Sequence, residues 1–305
     1  MDERLRRVIP VAVGLTTFVV SLAVLRVELR AVSWNQLTTA ITATPASRLV
    51  LATVLTALNY AALVGYDLLA FAYIGKALSR ARIAWASFLA YAISNNVGFA
   101  MLSGASVRYR FYTRWGVTAE ELSRIVFSYS VTFWLGLMAL GGLSLLVSPL
   151  PTAEELPARP ILVLFGWLLM LVPPLYLLST VLRSAPLQFK GVSFPMPSFA
   201  IATGQLLISM VDWALAGAVL YVLLPPGSPG FFAFLSAFLV SILLGMMSHV
   251  PGGVGVFEGL IVLLLKPYLG SSELLPALVV FRAVYYLLPF SMGLLGLVAD
   301  EVWQR

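Results

Sequence analysis

The chain has 305 residues, 60% hydrophobic and 10% charged, with a mean hydropathy of +0.96 and a formal net charge of +6. That composition excludes a water-soluble globular domain and describes a polytopic membrane protein. Zero cysteines exclude disulfides, thiolate metal sites and cysteine nucleophiles, and a single histidine, His249, excludes two-histidine metal motifs, so neither metal nor cofactor is expected.

At the N-terminus, MDERLRR before an apolar run resembles a signal-peptide n-region. No small-residue cleavage site follows, and a retained first helix is expected. Apolar segments are expected at about 8–25, 49–74, 83–102, 122–148, 160–182, 199–224, 231–249, 254–266 and 274–299. Polar or turn-rich stretches separate them: VELRAVSWNQ, GKALSRAR, RYRFYTRWG, SPLPTAEELPARP, RSAPLQFKGVSFPMP and PPGSPG. The longest hydrophilic stretches, 103–119, 149–159 and 183–197, read as loops too short to fold alone.

Two apolar runs are broken. Ser94-Asn95-Asn96-Val97-Gly98 places two amides at membrane depth, which is costly unless the protein bonds them. Ser248 to Gly259, SHVPGGVGVFEG, sets Pro251, Gly252 and Gly253 between His249 and Glu258. Proline removes a donor, and paired glycines disfavour the helix further. One reading is a kink or interfacial loop. The other is a re-entrant helix whose second half starts near Val254 and turns free N–H groups toward an anion.

A shift of 154 residues carries Ser87 onto Ser241, Ser94 onto Ser248, Gly98 onto Gly252 and Val126-Phe127 onto Val280-Phe281. The two breaks therefore coincide. The expected architecture is all-α, with two repeats, 1–150 and 151–305, each of about three transmembrane helices plus a broken re-entrant hairpin. An odd number of spans per repeat makes the second inverted. With a cytoplasmic N-terminus, Arg4, Arg6, Arg7, Lys76, Arg80, Arg82, Arg108, Arg110, Arg114, Arg183 and Lys190 all fall inside, as the positive-inside rule asks. That distribution accounts for the basic charge without a nucleic-acid partner.

Ionisable residues within the spans are Asp67, Arg124, Asp212, His249, Glu258 and Arg282. Such groups face a cavity or a partner. Asp67 and Asp212 are read either as substrate residues or as structural partners of Arg124 or Arg282. Arg108 and Arg110, interleaved with Tyr109, Phe111 and Tyr112, are read either as an interfacial girdle or as a phosphate site. Glu120 and Glu121 suit a helix start. GGVGVFEG is not GxGxxG, no Walker motif is present, and Ser248-His249 lacks the rest of a triad. Gly255 and Gly259 form a GxxxG suited to close helix packing.

NNVGFAMLSGASVRYRFYTRWGVTAEEL, HVPGGVGVFEG and FRAVYYLLPF resemble the membrane domain of the lysylphosphatidylglycerol synthase/flippase family, which includes the multiple peptide resistance factors. The resemblance runs over approximately 50–300 and rests on PGG-x-G-x-FE together with RYR-x-Y. It implies a non-enzymatic flippase in the bacterial cytoplasmic membrane, displaying a lysyl- or aminoacyl-phosphatidylglycerol that repels antimicrobial peptides. The sequence ends at Arg305 without the synthase domain, so the synthase activity is not implied. Arg108, Arg110 and Arg282 suit the lipid phosphate, and Asp67, Asp212 and Glu258 suit its ammonium groups. Asn95, Asn96, His249, Gly252 and Gly253 would line the two breaks. A secondary transporter of a small polar solute, or a membrane partner of a separate lipid synthase or glycosyltransferase, are the alternatives. A homo-oligomer is compatible with each.

Overall fold

The computed structural model describes residues 34–97, 100–148, 159–183, 185–189, 191–248, 250 and 253–303. The expected first helix at 8–25 lies outside them. The described chain is helical apart from one small antiparallel hairpin, Leu187–Phe189 with Val192–Phe194. In order come α1 (Trp34–Ala43), α2 (Ala46–Ile74), α3 (Arg80–Val97), α4 (Ala100–Arg114), α5 (Ala119–Val147), α6 (Arg159–Leu182), α7 (Phe199–Tyr221), α8 (Phe231–Met247), α9 (Val256–Leu265) and α10 (Ser271–Phe281). A π-helical segment, Arg282–Leu287, then joins α10 to α11 (Leu288–Trp303).

Five of these are long and apolar enough to cross a bilayer: α2, α5, α6, α7 and the continuous Ser271–Val302 helix. Among the shorter helices, α3 packs against α4 and α8 against α9 as two hairpins. Arg114 pairs with Asp300 and Lys76 with Glu121, which gathers the ends of α2, α4 and α11 and the start of α5 at one end of the molecule. The hairpin α3–α4 starts and finishes there. At the opposite end Arg48 donates to the Leu224 carbonyl, and Tyr221 packs on Phe231 at the start of α8. The hairpin α8–α9 enters from that side. Thus α2, α3–α4 and α5 run in the opposite sense to α7, α8–α9 and α10–α11.

Local sequence explains the ends. Thr118 and Glu121 form a reciprocal capping box at α5, and Gly75 ends α2 in the left-handed conformation with φ 69°. Pro289 explains the π segment. It has no N–H to offer the Tyr285 carbonyl, and its ring crowds that carbonyl. The helix widens instead, and the Leu288 N–H reaches back to Ala283 O.

Between helices in lipid, close contact replaces the hydrophobic driving force, and small residues permit it. A Cβ at Gly136 on α5 would stand 2.5 Å from the Ser209 backbone of α7. One at Gly142 would stand 2.8 Å from the Gly166 carbonyl of α6, and one at Gly293 2.9 Å from Ala92.

Three expectations change. Residues 103–114 are not loop but most of α4, because Arg108 finds a buried acidic partner. VELRAVSWNQ is not simply a break, since its last three residues open α1. The Gly255/Gly259 pair makes no close helix contact: a Cβ at either would meet nothing within 4 Å. Gly255 answers instead to backbone, with φ 81° at the start of α9.

Candidate functional site

The end of α3 in the first hairpin and the start of α9 in the second both reach the π segment. Asn96, at the end of α3, donates to Ala92 O at 2.9 Å and reaches Tyr286 O at 3.5 Å. Its neighbour Asn95 is half-buried. From the other hairpin, Glu258 accepts a 2.6 Å bond from Arg282 Nε. Tyr285, between these two, donates to Asn59 Oδ1 of α2 at 3.1 Å. The widened turn therefore presents three consecutive faces to three different partners. That spread needs the extra residue per turn, and π turns of this kind recur at functional sites.

Around this hub the charged residues form three groups. The first is sealed. Arg108 Nη2 and Nε hold the two oxygens of Asp67 at 2.6 and 2.8 Å, with 1% and 0% of the side chains exposed. Ser87 and Tyr112 each donate to the same carboxylate at 2.8 Å. The guanidinium carbon lies 4.4 Å from the ring centres of both Tyr91 and Tyr129, a cation between two aromatic faces. Asp67 is thus partnered by Arg108 and not by Arg124 or Arg282. Arg124 pairs instead with Glu120 and the Ser193 carbonyl.

The second group centres on Asp212 of α7. Asn59 Nδ2 donates to its Oδ1 and to its backbone carbonyl, each at 2.7 Å, and Tyr66 donates to Oδ2 at 2.7 Å. The third group lines a cavity of about 630 Å³ bounded by α1, the start of α9, and α10 with Arg282. Asn35, Gln36, Thr39 and Ser272 give it polar walls, Leu275, Leu278 and Val279 apolar ones, and Glu258 with Arg282 its charges. The size falls within the range of small-molecule and head-group sites. Glu258 is one-fifth exposed there, and Arg282 barely.

The start of α9 differs from expectation. The helix begins at Val256, and the Gly255 N–H is already taken by Glu258 Oε2 at 2.8 Å. Its positive end is met by the protein's own carboxylate. Gly253 is buried with φ 63°, against Gly245 of α8. His249, Pro251 and Gly252 lie outside the described residues. Arg110 sits apart from all three groups, at the charged end with Asp300 and Glu301.

Sequence reasoning missed Asn59, Tyr112, Ser87 and Tyr285. Asn59 carried a signal of its own, an amide inside an apolar run. The others lay in stretches already singled out, Tyr112 in RYR-x-Y, Tyr285 in FRAVYYLLPF and Ser87 in the shifted match, but nothing in residue type marked them as partners of a buried carboxylate or amide.

Residues 9–293 match the lysylphosphatidylglycerol synthase TM region family. The chain belongs to this family. It is 35% identical to an uncharacterized protein of Synechocystis sp. over 99% of this chain and 95% of that one. It is 30% identical to the inner membrane protein YbhN of Escherichia coli over 91% of this chain and 88% of that one. Phosphatidylglycerol lysyltransferase of Bacillus subtilis is 26% identical over 80% of this chain, which spans 28% of that enzyme. The family relation ties this multi-pass membrane protein to membrane-lipid biology, through the transmembrane part of a lipid-modifying enzyme.

Proposed function

We propose that the chain moves a phospholipid of the phosphatidylglycerol type, bearing a lysyl or other aminoacyl group, between leaflets without chemically changing it. One observation carries this reading: an arginine–carboxylate pair, Arg282 and Glu258, forms the charged wall of a cavity where the second hairpin tip meets the π segment. A head group with a phosphate and ammonium groups replaces such a pair charge for charge, phosphate to guanidinium and ammonium to carboxylate. Such exchange leaves no buried charge unpaired as the ligand enters or leaves. In this reading the units 1–150 and 151–305 rock against each other, with the N-terminus and the Lys76, Arg110 and Arg114 end cytoplasmic. Asn95, Asn96 and Gly253 shape the meeting of the tips, and the sealed Asp67–Arg108 pair holds the first hairpin in place.

The test is the purified chain in liposomes carrying head-group-labelled lysylphosphatidylglycerol, with label accessible to an external reagent as the readout. The expected result is faster exchange than in empty liposomes, and a loss of about tenfold or more in Glu258→Gln and Arg282→Gln, equivalent to roughly 1.4 kcal/mol. Exchange equal to that of empty liposomes removes the reading. Uptake of a labelled water-soluble amino phosphate in its place would favour a solute transporter.

A further inference from the structure

Three carboxylates, Asp67, Asp212 and the partly exposed Glu258, lie within the helices, and two of them hold arginines. Asp212 holds none. Among the described residues its carboxylate is met only by Asn59 and Tyr66, and no Arg, Lys or His pairs with it. It is 5% exposed. An ionised carboxylate sealed in this way lacks the compensation that Asp67 receives, and burying a charge without such compensation is costly.

The surroundings fit a proton and not a larger cation. A metal ion asks for several oxygen ligands converging on one point. Here Asn59 turns its NH2 toward Asp212, an orientation set by two acceptors on one side and the Tyr285 hydroxyl on the other. The crossing of α2 and α7 is also tight: a Cβ at Gly65 would stand 3.0 Å from Ile208, and one at Gly204 3.1 Å from Leu69. The titratable groups that face the carboxylate are Tyr60 and Tyr66 of α2, Tyr91 of α3 and Tyr285 of the π segment. Farther off, Asp67 and Arg108 neutralise each other, and Tyr129 of α5 lies over Arg108.

The position of Asp212 links the two halves of the chain. Asp212 lies where a helix of the first half crosses one of the second, and through Asn59 and Tyr285 it connects to the segment carrying Arg282 at the cavity wall. We propose that Asp212 is a proton-binding site that takes up one proton from water and returns it to water as the α2–α7 crossing opens and closes, coupling ligand movement to proton movement. The coupling rests on the translocator reading; the bound proton does not.

Infrared difference spectroscopy of the full chain in lipid tests the site directly. At neutral pH the expected spectrum contains the carbonyl stretch of a protonated carboxyl, lost in Asp212→Asn, kept in Glu258→Gln and shifted in frequency in Tyr66→Phe, which removes one hydrogen bond and little volume. A wild-type spectrum without that band, or with a band that survives in Asp212→Asn, overturns the proposal. Coupling is read separately in liposomes enclosing a pH-sensitive dye. Lipid exchange by the wild type should move protons and respond to a pH gradient, and Asp212→Asn should exchange lipid with neither property. Lipid exchange by the wild type without proton movement overturns the coupling. If the band is present but no lipid moves, the translocator reading fails and the proton site stands.

Discussion

The Asp67–Arg108 and Glu258–Arg282 pairs use the same two functional groups, one at each hairpin, in different surroundings. Asp67 receives four side-chain hydrogen bonds, two from Arg108 and one each from Ser87 and Tyr112, with the arginine stacked between two tyrosines. Every polar atom of the carboxylate is satisfied by protein, so no room is left for a ligand. Glu258 receives one bond from Arg282 and one from the backbone of Gly255, and it borders a cavity. We propose that the fully compensated pair is architecture and that the partly exposed pair on the cavity wall trades partners. Ion-pair chemistry alone does not separate the two roles; accessibility does.

The comparison is broken or sharpened by substitution. Arg108→Leu strands Asp67 in a dry site and should cost about 3–5 kcal/mol, seen as a lowered unfolding temperature or lost folded protein in detergent. Retention of wild-type stability would mean that the first pair is not structural. Gly136→Ala drives a methyl into the Ser209 backbone and should cost about 1–3 kcal/mol, while Gly259→Ala, with open space around it, should be neutral or stabilising by up to about 1 kcal/mol. Chemical denaturation of the two variants side by side checks that contrast. Glu258→Gln should lower stability by only about 1 kcal/mol, because cavity water screens the pair, yet reduce lipid exchange. Equal destabilisation by Glu258→Gln and Arg108→Leu would erase the distinction between the pairs. Arg110→Gln should change stability by less than about 1 kcal/mol, since Glu301 is half exposed and salt screens that end. A thermal melt at low and high salt detects it.

Legibility followed the physical range of each signal. Asn95-Asn96 and Pro251-Gly252-Gly253 marked the helix interruptions, since backbone freed in lipid is costly wherever it occurs. Asp67, Asp212, Glu258 and Arg282 stood out for the same reason. Partner choice was another matter. Arg108, 41 residues from Asp67 along the chain, read either as part of an interfacial girdle or as a phosphate ligand, and only the return of α4 against α2 paired it with Asp67.

Sequence alone therefore determined that the chain is an all-α membrane protein, where its long apolar spans lie among the described residues, and which charges are costly enough to need an answer. These follow from the transfer of side chains and backbone into lipid, a cost each segment carries by itself. Tertiary structure decided which answer each charge received: arginine and tyrosines for Asp67, a cavity wall for Glu258 and Arg282, and neutral donors for Asp212. Those outcomes depend on distances between helices far apart in the chain, and a hydrogen bond or ion pair exists only within a few ångströms.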